Sequence, residues 1–132
     1  MQRLSLLGSQ LQITTIMAPK TAIISGGARG IGRCLVRRLL ELGYRVVVFD
    51  VQEEELKHCT QVHLKKYYDQ GVLSSAICNL RDPQDIYKGV DEAAKFLGGR
   101  IHVLINNGAI ASPFWKDGKS MENRETLSEW QA

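Results

Sequence analysis

The sequence predicts an α/β fold: a parallel sheet, doubly wound, with helices on both faces. Three observations carry that prediction. Four short apolar runs alternate with three helix-period segments, the pattern of strand–helix–strand units. A glycine-rich turn, Ser25-Gly-Gly-Ala-Arg-Gly-Ile-Gly32, joins the first run to the first helical segment. The second run, Arg45-Val-Val-Val-Phe-Asp50, is continuously apolar, as a strand covered on both faces must be.

The first strand is Thr21-Ala-Ile-Ile-Ser25. The helix after it spans about 31–42, because apolar residues recur at Ile31, Leu35, Leu39 and Leu42. Gly43 follows where a helix takes a left-handed terminal residue. The second strand is residues 45–50. A second helix spans about 53–70; Glu53, Glu54 and Glu55 suit the positive end of its dipole, and Gly71 follows it. The third strand is 72–78. The third helix opens on Pro83, shows an apolar stripe of Ile86, Val90, Ala93, Ala94 and Leu97, and is stopped by Gly98 and Gly99. The fourth strand is 101–106. A loop over 107–124 leads to Thr126-Leu-Ser-Glu129, whose capping-box spacing starts a fourth helix.

Right-handed crossovers then dictate the strand order 3-2-1-4. Folds of this kind comprise two mononucleotide-binding halves, and this chain supplies one half plus a single strand of the next. The second half is missing from the sequence, which reads as the front of a larger domain. Strand 4 is expected to be an apolar edge with unpaired backbone groups.

The chain has 132 residues, enough for one small domain. Hydrophobic content of 44% and charged content of 23% are ordinary for a globular chain. The net charge of +3 is spread along the sequence and argues for neither nucleic acid nor a membrane surface. Cys34, Cys59 and Cys78 are widely spaced and form no CxxC, which points to reduced thiols in a cytoplasmic setting. No run reaches the roughly 18 apolar residues of a membrane span. Residues 1–16 carry Arg3 as their only charge, and Gln and Ser break up their apolar residues. They read as a disordered leader, with too little Arg for a mitochondrial presequence, the alternative reading. The domain proper is residues 17–132, and Met17-Ala-Pro-Lys20 is the expected functional start.

Chemistry concentrates at the first strand–helix junction. Glycines there let backbone N–H groups approach a phosphate, and the helix N-terminus adds partial positive charge. Asp50, eighteen residues beyond Gly32 at the next strand end, can accept hydrogen bonds from an adenosine ribose diol.

In Gly26-Gly-Ala-Arg-Gly-Ile-Gly32, Asp50, Cys78-Asn-Leu-Arg-Asp82 and Ile105-Asn-Asn-Gly-Ala109, the chain resembles the short-chain dehydrogenase/reductase family. The likeness runs from about Lys20 to Ala132, roughly the front half of a family member. It implies a Rossmann-type domain, a bound NAD or NADP, and reversible hydride transfer between nicotinamide and an alcohol or carbonyl. By that likeness Gly26, Arg29, Gly30, Ile31 and Gly32 surround the diphosphate and adjacent ribose. Asp50 holds the adenosine ribose, Asn79 and Leu80 line the adenine pocket, and Asn106, Asn107 and Gly108 pass beside the cofactor. The resemblance also implies that a full-length form is a homo-oligomer.

Two positions depart from the family pattern. Asn79 stands where the family has Asp, although its amide oxygen can still accept from an adenine amino group. The family's Asn-Asn-Ala-Gly is Asn106-Asn-Gly-Ala109 here, so Ala109 carries a Cβ where the family has none. The family's general acid/base is a Tyr with a Lys four residues later. Tyr44, Tyr67, Tyr68 and Tyr87 are followed at that distance by Val48, Gly71, Val72 and Asp91. No catalytic residue is therefore assigned, and the 132-residue chain alone is expected to turn over no substrate.

NAD is favoured over NADP. A carboxylate ~4 Å from a 2′-phosphate costs about 1–4 kcal/mol per unit charge; Arg29 offsets part of that, but Val51 and Gln52 add no positive charge. Other candidates have plainer readings. On a regular helix His58, Cys59 and His63 do not converge, which predicts a solvated helix and no metal. His102 is a strand residue at the sheet margin, Phe114 and Trp115 pack a loop, and Arg33, Arg37 and Arg38 form a solvated face. Two other functions compete with the oxidoreductase reading. One is a non-catalytic dinucleotide-binding module or nonfunctional fragment. The other is an S-adenosylmethionine-dependent methyltransferase of similar sheet topology, disfavoured by GxxxGxG and the Asn106-Asn107 pair.

Overall fold

A computed structural model describes residues 18–109. The leader, residues 110–124 of the loop, Phe114, Trp115 and the helix start at 126–129 lie outside the described residues.

Strand β1 (Thr21–Ser25) is buried at every position, because it forms the middle of the sheet. Strands β2 (Arg45–Asp50), β3 (Leu73–Ile77) and β4 (Val103–Asn106) complete a parallel sheet in the order β3-β2-β1-β4. This is the predicted Rossmann-like order. β1 pairs with β2 from Thr21↔Arg45 to Ser25↔Phe49 and with β4 from Ala22↔Val103 to Ser25↔Asn106. All strands therefore end together at one edge.

Helix α1 (Gly30–Glu41) crosses from β1 to β2. The segment between β2 and β3 is broken: α2 (Glu53–His58), a π-helical turn (Cys59–His63) and α3 (Lys65–Asp69) replace the single helix expected over 53–70. The Leu64 N–H donates to the Cys59 carbonyl, five residues back, at 2.9 Å. Thr60 is buried, and its hydroxyl donates to the Leu56 carbonyl at 2.9 Å, a back-bond that competes with the regular ladder. The extra residue lets Leu56, Cys59, Thr60 and Leu64 all face inward. Helix α4 (Pro83–Leu97) has its predicted bounds; the Asp82 side chain caps it by accepting from the Gln84 N–H at 3.0 Å.

Two apolar layers sandwich the sheet. On one face Ala22, Ile24, Val46, Val48 and Leu73 pack against Val36 and Leu40 of α1 and against Leu56, Cys59 and Leu64. On the other, Ile23, Val47 and Phe49 pack against Ala93 and Leu97 of α4 and against Cys78. Of the stripe that periodicity marks on α1, only Leu39 packs against the core. Ile31 is 75% and Leu42 58% exposed, and the buried seam is Gly32, Val36 and Leu40. β4 pairs only with β1 and leaves Leu104 exposed, so it is an edge among the described strands.

The opposite end of β1 is tied to the entry of β4. The Thr21 hydroxyl donates to the Arg100 carbonyl. The Thr21 N–H donates to His102 Nδ1 at 3.1 Å, which puts the imidazole proton on Nε2. The His102 N–H returns a bond to the Thr21 carbonyl at 3.1 Å. Replacing His102 with Phe leaves the buried Thr21 N–H without its acceptor. Urea unfolding is expected to show a loss of about 1–3 kcal/mol; an unchanged midpoint would contradict this assignment.

Candidate functional site

Because the strands are parallel and end together, the loops after them share one rim. α1 leaves β1 on one face and α4 approaches β4 on the other, so a crevice opens between β1 and β4. The glycine turn lies on that crevice. Gly26 adopts φ +65°, and its N–H donates to the Phe49 carbonyl at 2.7 Å. A Cβ on Gly26 would lie 2.7 Å from the Gly108 Cα, and a Cβ on Gly32 would overlap the Gly26 carbonyl oxygen. Asn107 Nδ2 donates to that same oxygen at 3.0 Å. The Gly108 N–H donates to Ser25 Oγ at 3.0 Å, and Leu80 leans against Gly108.

At the mouth of this crossing the environment changes. Gly30, at φ +60°, faces open space. Arg29 at the N-cap is extended, no side chain caps α1, and its first turn holds no acidic residue. The first-turn N–H groups and the dipole are thus free to meet an anion. Ile31 stands exposed beside them.

Asp50 sits at the neighbouring strand end. Its Oδ1 accepts from the Val51 N–H at 2.8 Å and its Oδ2 from the Ala28 N–H at 3.3 Å. These bonds aim the carboxylate over the glycine turn and leave each oxygen further lone-pair capacity. Asn106 ends β4 opposite Ser25. Of the residues singled out from sequence, Gly26, Gly32, Leu80, Asn107 and Gly108 meet at the crossing; Gly30, Ile31 and Asp50 ring its mouth. Arg29 is exposed. Asn79 belongs to a separate turn: its Oδ1 accepts from the Arg81 N–H at 3.0 Å, and its own N–H donates to Asp85 at 3.0 Å.

Sequence reasoning passed over Ser25, Ala28 and Asp85. Ser25 and Ala28 were visible only as small residues beside glycines, and Asp85 only as an acid in the first turn of α4. The inverted Gly108-Ala109 order needs no strain, because no described non-glycine residue has positive φ and Gly108 does not either. What Gly108 provides is room for Leu80, whose Cδ1 would lie 2.8 Å from an added Cβ.

Cys59 donates from Sγ to the Gly27 carbonyl at 3.7 Å beneath the turn. Burial pushes its thiol up to about 11 from the usual 9.0, and burial likewise raises Cys78. Because the unfolded chain gives up this proton first, stability contributed by Cys59 is intact below pH 9.0 and declines from there to about 11. Urea midpoints measured across that interval are expected to fall more steeply for the native chain than for Cys59→Ala.

The expected divergence of His58 and His63 is corrected by the π-helical turn. Their rings meet edge to face with centroids 4.4 Å apart, while Cys59 points inward. His63 is held below the ordinary imidazole range by desolvation, then by Arg33, His58 and Arg37, against the opposing pull of Glu55. Among the described residues no set of three His, Cys, Asp or Glu side chains gathers as a metal site, and no helix is long and apolar enough to cross a membrane.

Comparison with known proteins bears on this arrangement. The family profile described as short chain dehydrogenase matches residues 20–131. A tropinone reductase homolog of Arabidopsis thaliana is 36% identical over 94 residues, covering 69% of this chain and 33% of the relative. Among solved structures, a short chain dehydrogenase from Bacillus anthracis aligns with a TM-score of 0.61 at 30% identity, over 68% of this chain and 34% of that one. An actinorhodin polyketide ketoreductase variant solved with NADPH aligns with a TM-score of 0.60 at 29% identity, over 75% and 40%. The chain spans about a third of the length of the curated relatives it matches.

Proposed function

The chain belongs to the short-chain dehydrogenase family, and on that premise we propose that its crevice binds a pyridine dinucleotide as the coenzyme part of an oxidoreductase acting on an alcohol or carbonyl. The observation that carries the reading is the uncapped start of α1 above the glycine crossing, with the Asp50 carboxylate at the adjoining strand end. Backbone N–H groups over Gly30, Ile31 and Gly32 would hold the diphosphate, with Gly26 keeping the floor low and Arg29 able to fold over it. Asp50 would accept from the adenosine ribose diol. Leu80 would supply an apolar wall for adenine. Asn79 would accept from the adenine amino group through the second lone pair of its amide oxygen, the first being taken by the Arg81 N–H. Asn106, Asn107 and Gly108 would border the ribose nearer the nicotinamide. The nicotinamide ring, when bound, supplies or accepts a hydride.

Asp50 favours NAD, since its charge repels a 2′-phosphate and the next residues, Val51 and Gln52, are neutral. Arg29 pulls the other way, and the ketoreductase relative was solved with NADPH. Binding without turnover is the reading for the 132-residue chain itself, because none of its tyrosines has a lysine four residues on.

Isothermal titration of the full chain with NADH, NADPH and S-adenosylmethionine tests the proposal. Saturable binding of NADH ahead of NADPH, with no response to S-adenosylmethionine, is expected. A folded sample with no affinity for either coenzyme would overturn it.

A further inference from the structure

We propose that His58 and His63 form a two-imidazole site for a late first-row divalent cation, Zn2+, Ni2+ or Cu2+, with water completing the coordination. On a regular α-helix, side chains five residues apart diverge by about 140°. The π-helical turn removes that divergence: its wider ladder, closed by the Leu64 N–H on the Cys59 carbonyl, brings the two rings to 4.4 Å between centroids. Two imidazole nitrogens sharing a tetrahedral Zn2+ sit about 3.3 Å apart, given Zn–N bonds of about 2.05 Å. Rings already this close reach that spacing by small side-chain rotations, and both are exposed and free to make them.

The backbone beneath the pair is fixed. Cys59, Thr60 and Leu64 are buried, so His58 and His63 project outward from an anchored turn. Cys59 is thereby excluded as a third ligand; its thiol is committed to the Gly27 carbonyl. The site has two protein ligands and open positions for water. Such a site holds metal by chelation and leaves the fold independent of it.

Local charge tempers the affinity. The charges of Arg33 and Arg37 on α1 act on His63 and oppose a cation, while that of Glu55 favours it. These charges act across solvent and are screened by salt, whereas the coordinate bonds are not. The affinity order should follow ligand-field preference, with Cu2+ tightest. The pair uses none of the residues assigned to the coenzyme and stands whether or not that assignment does.

The test is calorimetric titration of the full chain with ZnCl2 and NiCl2 in a Cys34→Ser background, which removes the exposed thiol. One cation per chain is expected. His58→Ala and His63→Ala should each weaken binding by about a hundredfold, because the second imidazole binds intramolecularly. The double variant should lose the remaining imidazole–metal bond and with it all binding at this position. Zn2+ should raise the melting temperature of the parent and of neither single variant. Should an exposed His→Ala change disturb folding by circular dichroism, His→Asn replaces it. Equal affinity in parent and single variants, or two weak independent imidazoles each losing only its own share, would overturn the proposal.

Discussion

Gly32→Ala is expected to cost about 3 kcal/mol or more and to abolish coenzyme binding. An added Cβ at this position would overlap the Gly26 carbonyl oxygen and lie 2.7 Å from Asn107 Nδ2. The oxygen is backbone, and it cannot retreat without moving Gly26, whose N–H is held by Phe49 at 2.7 Å. Inserting a methyl into packed surroundings typically costs about 1–3 kcal/mol, and a backbone clash lies at or above the upper end. Relief would require α1 to lift away from β1, which moves the first-turn N–H groups from the diphosphate position. Gly30→Ala makes the control. Its Cβ meets nothing within 4 Å, and only the left-handed backbone at φ +60° penalises it, by about 1–2 kcal/mol. Urea unfolding of the two variants should rank Gly32→Ala as the more damaging. The reverse order would mean that conformational preference, not close approach, governs the turn.

Asp50→Asn is expected to weaken NADH binding by about 1.5–3 kcal/mol, roughly tenfold to a hundredfold, since hydrogen bonds to a charged acceptor are the strong ones. Asparagine keeps an oxygen for one of the N–H groups of Ala28 and Val51, so the fold should change little. NADPH should bind better than to the parent, because a charge repulsion of about 1–4 kcal/mol is removed. Competitive titration of both coenzymes reads the preference directly. If the ratio of the two affinities stays fixed, Arg29 and the surrounding backbone set the choice and Asp50 does not.

Much of the fold was legible because its signals were local. Residues 21–25 and 45–50 are apolar runs bounded by turn formers, and Pro83 with Gly98 brackets α4. The strand order followed from right-handed crossovers together with helices on both faces. Two features were illegible for identifiable reasons. On α1 the apolar stripe of Ile31, Leu35, Leu39 and Leu42 touches the core only at Leu39 and otherwise runs beside the seam of Gly32, Val36 and Leu40. Counting apolar side chains favours the wrong one, because the seam is chosen by a residue with no side chain that must touch the Gly26 carbonyl. Between β2 and β3, a regular period hid the extra residue at Cys59–His63. That insertion is set by burying Leu56, Cys59, Thr60 and Leu64 together, a tertiary demand that no local pattern states.

The site was legible in its glycines and in Asp50, which must occupy special backbone or strand-end positions. Its supports were not. Ser25 and Ala28 act through hydrogen bonds to residues 83 and 22 positions away in sequence, and only the folded sheet creates those neighbours.

β1 comes first in the chain and central in the sheet, and its second flank is filled by a strand whose entry, His102, lies 81 residues downstream of Thr21. At about 5–20 residues per second, a ribosome needs on the order of 4–16 s to deliver that partner. Throughout the interval one side of the most fully buried strand presents open amides and carbonyls to the cell. Vectorial synthesis therefore gives this topology an obligatory sticky phase. Chaperone demand during translation should track the emergence of residues 103–106 and ease once they have docked.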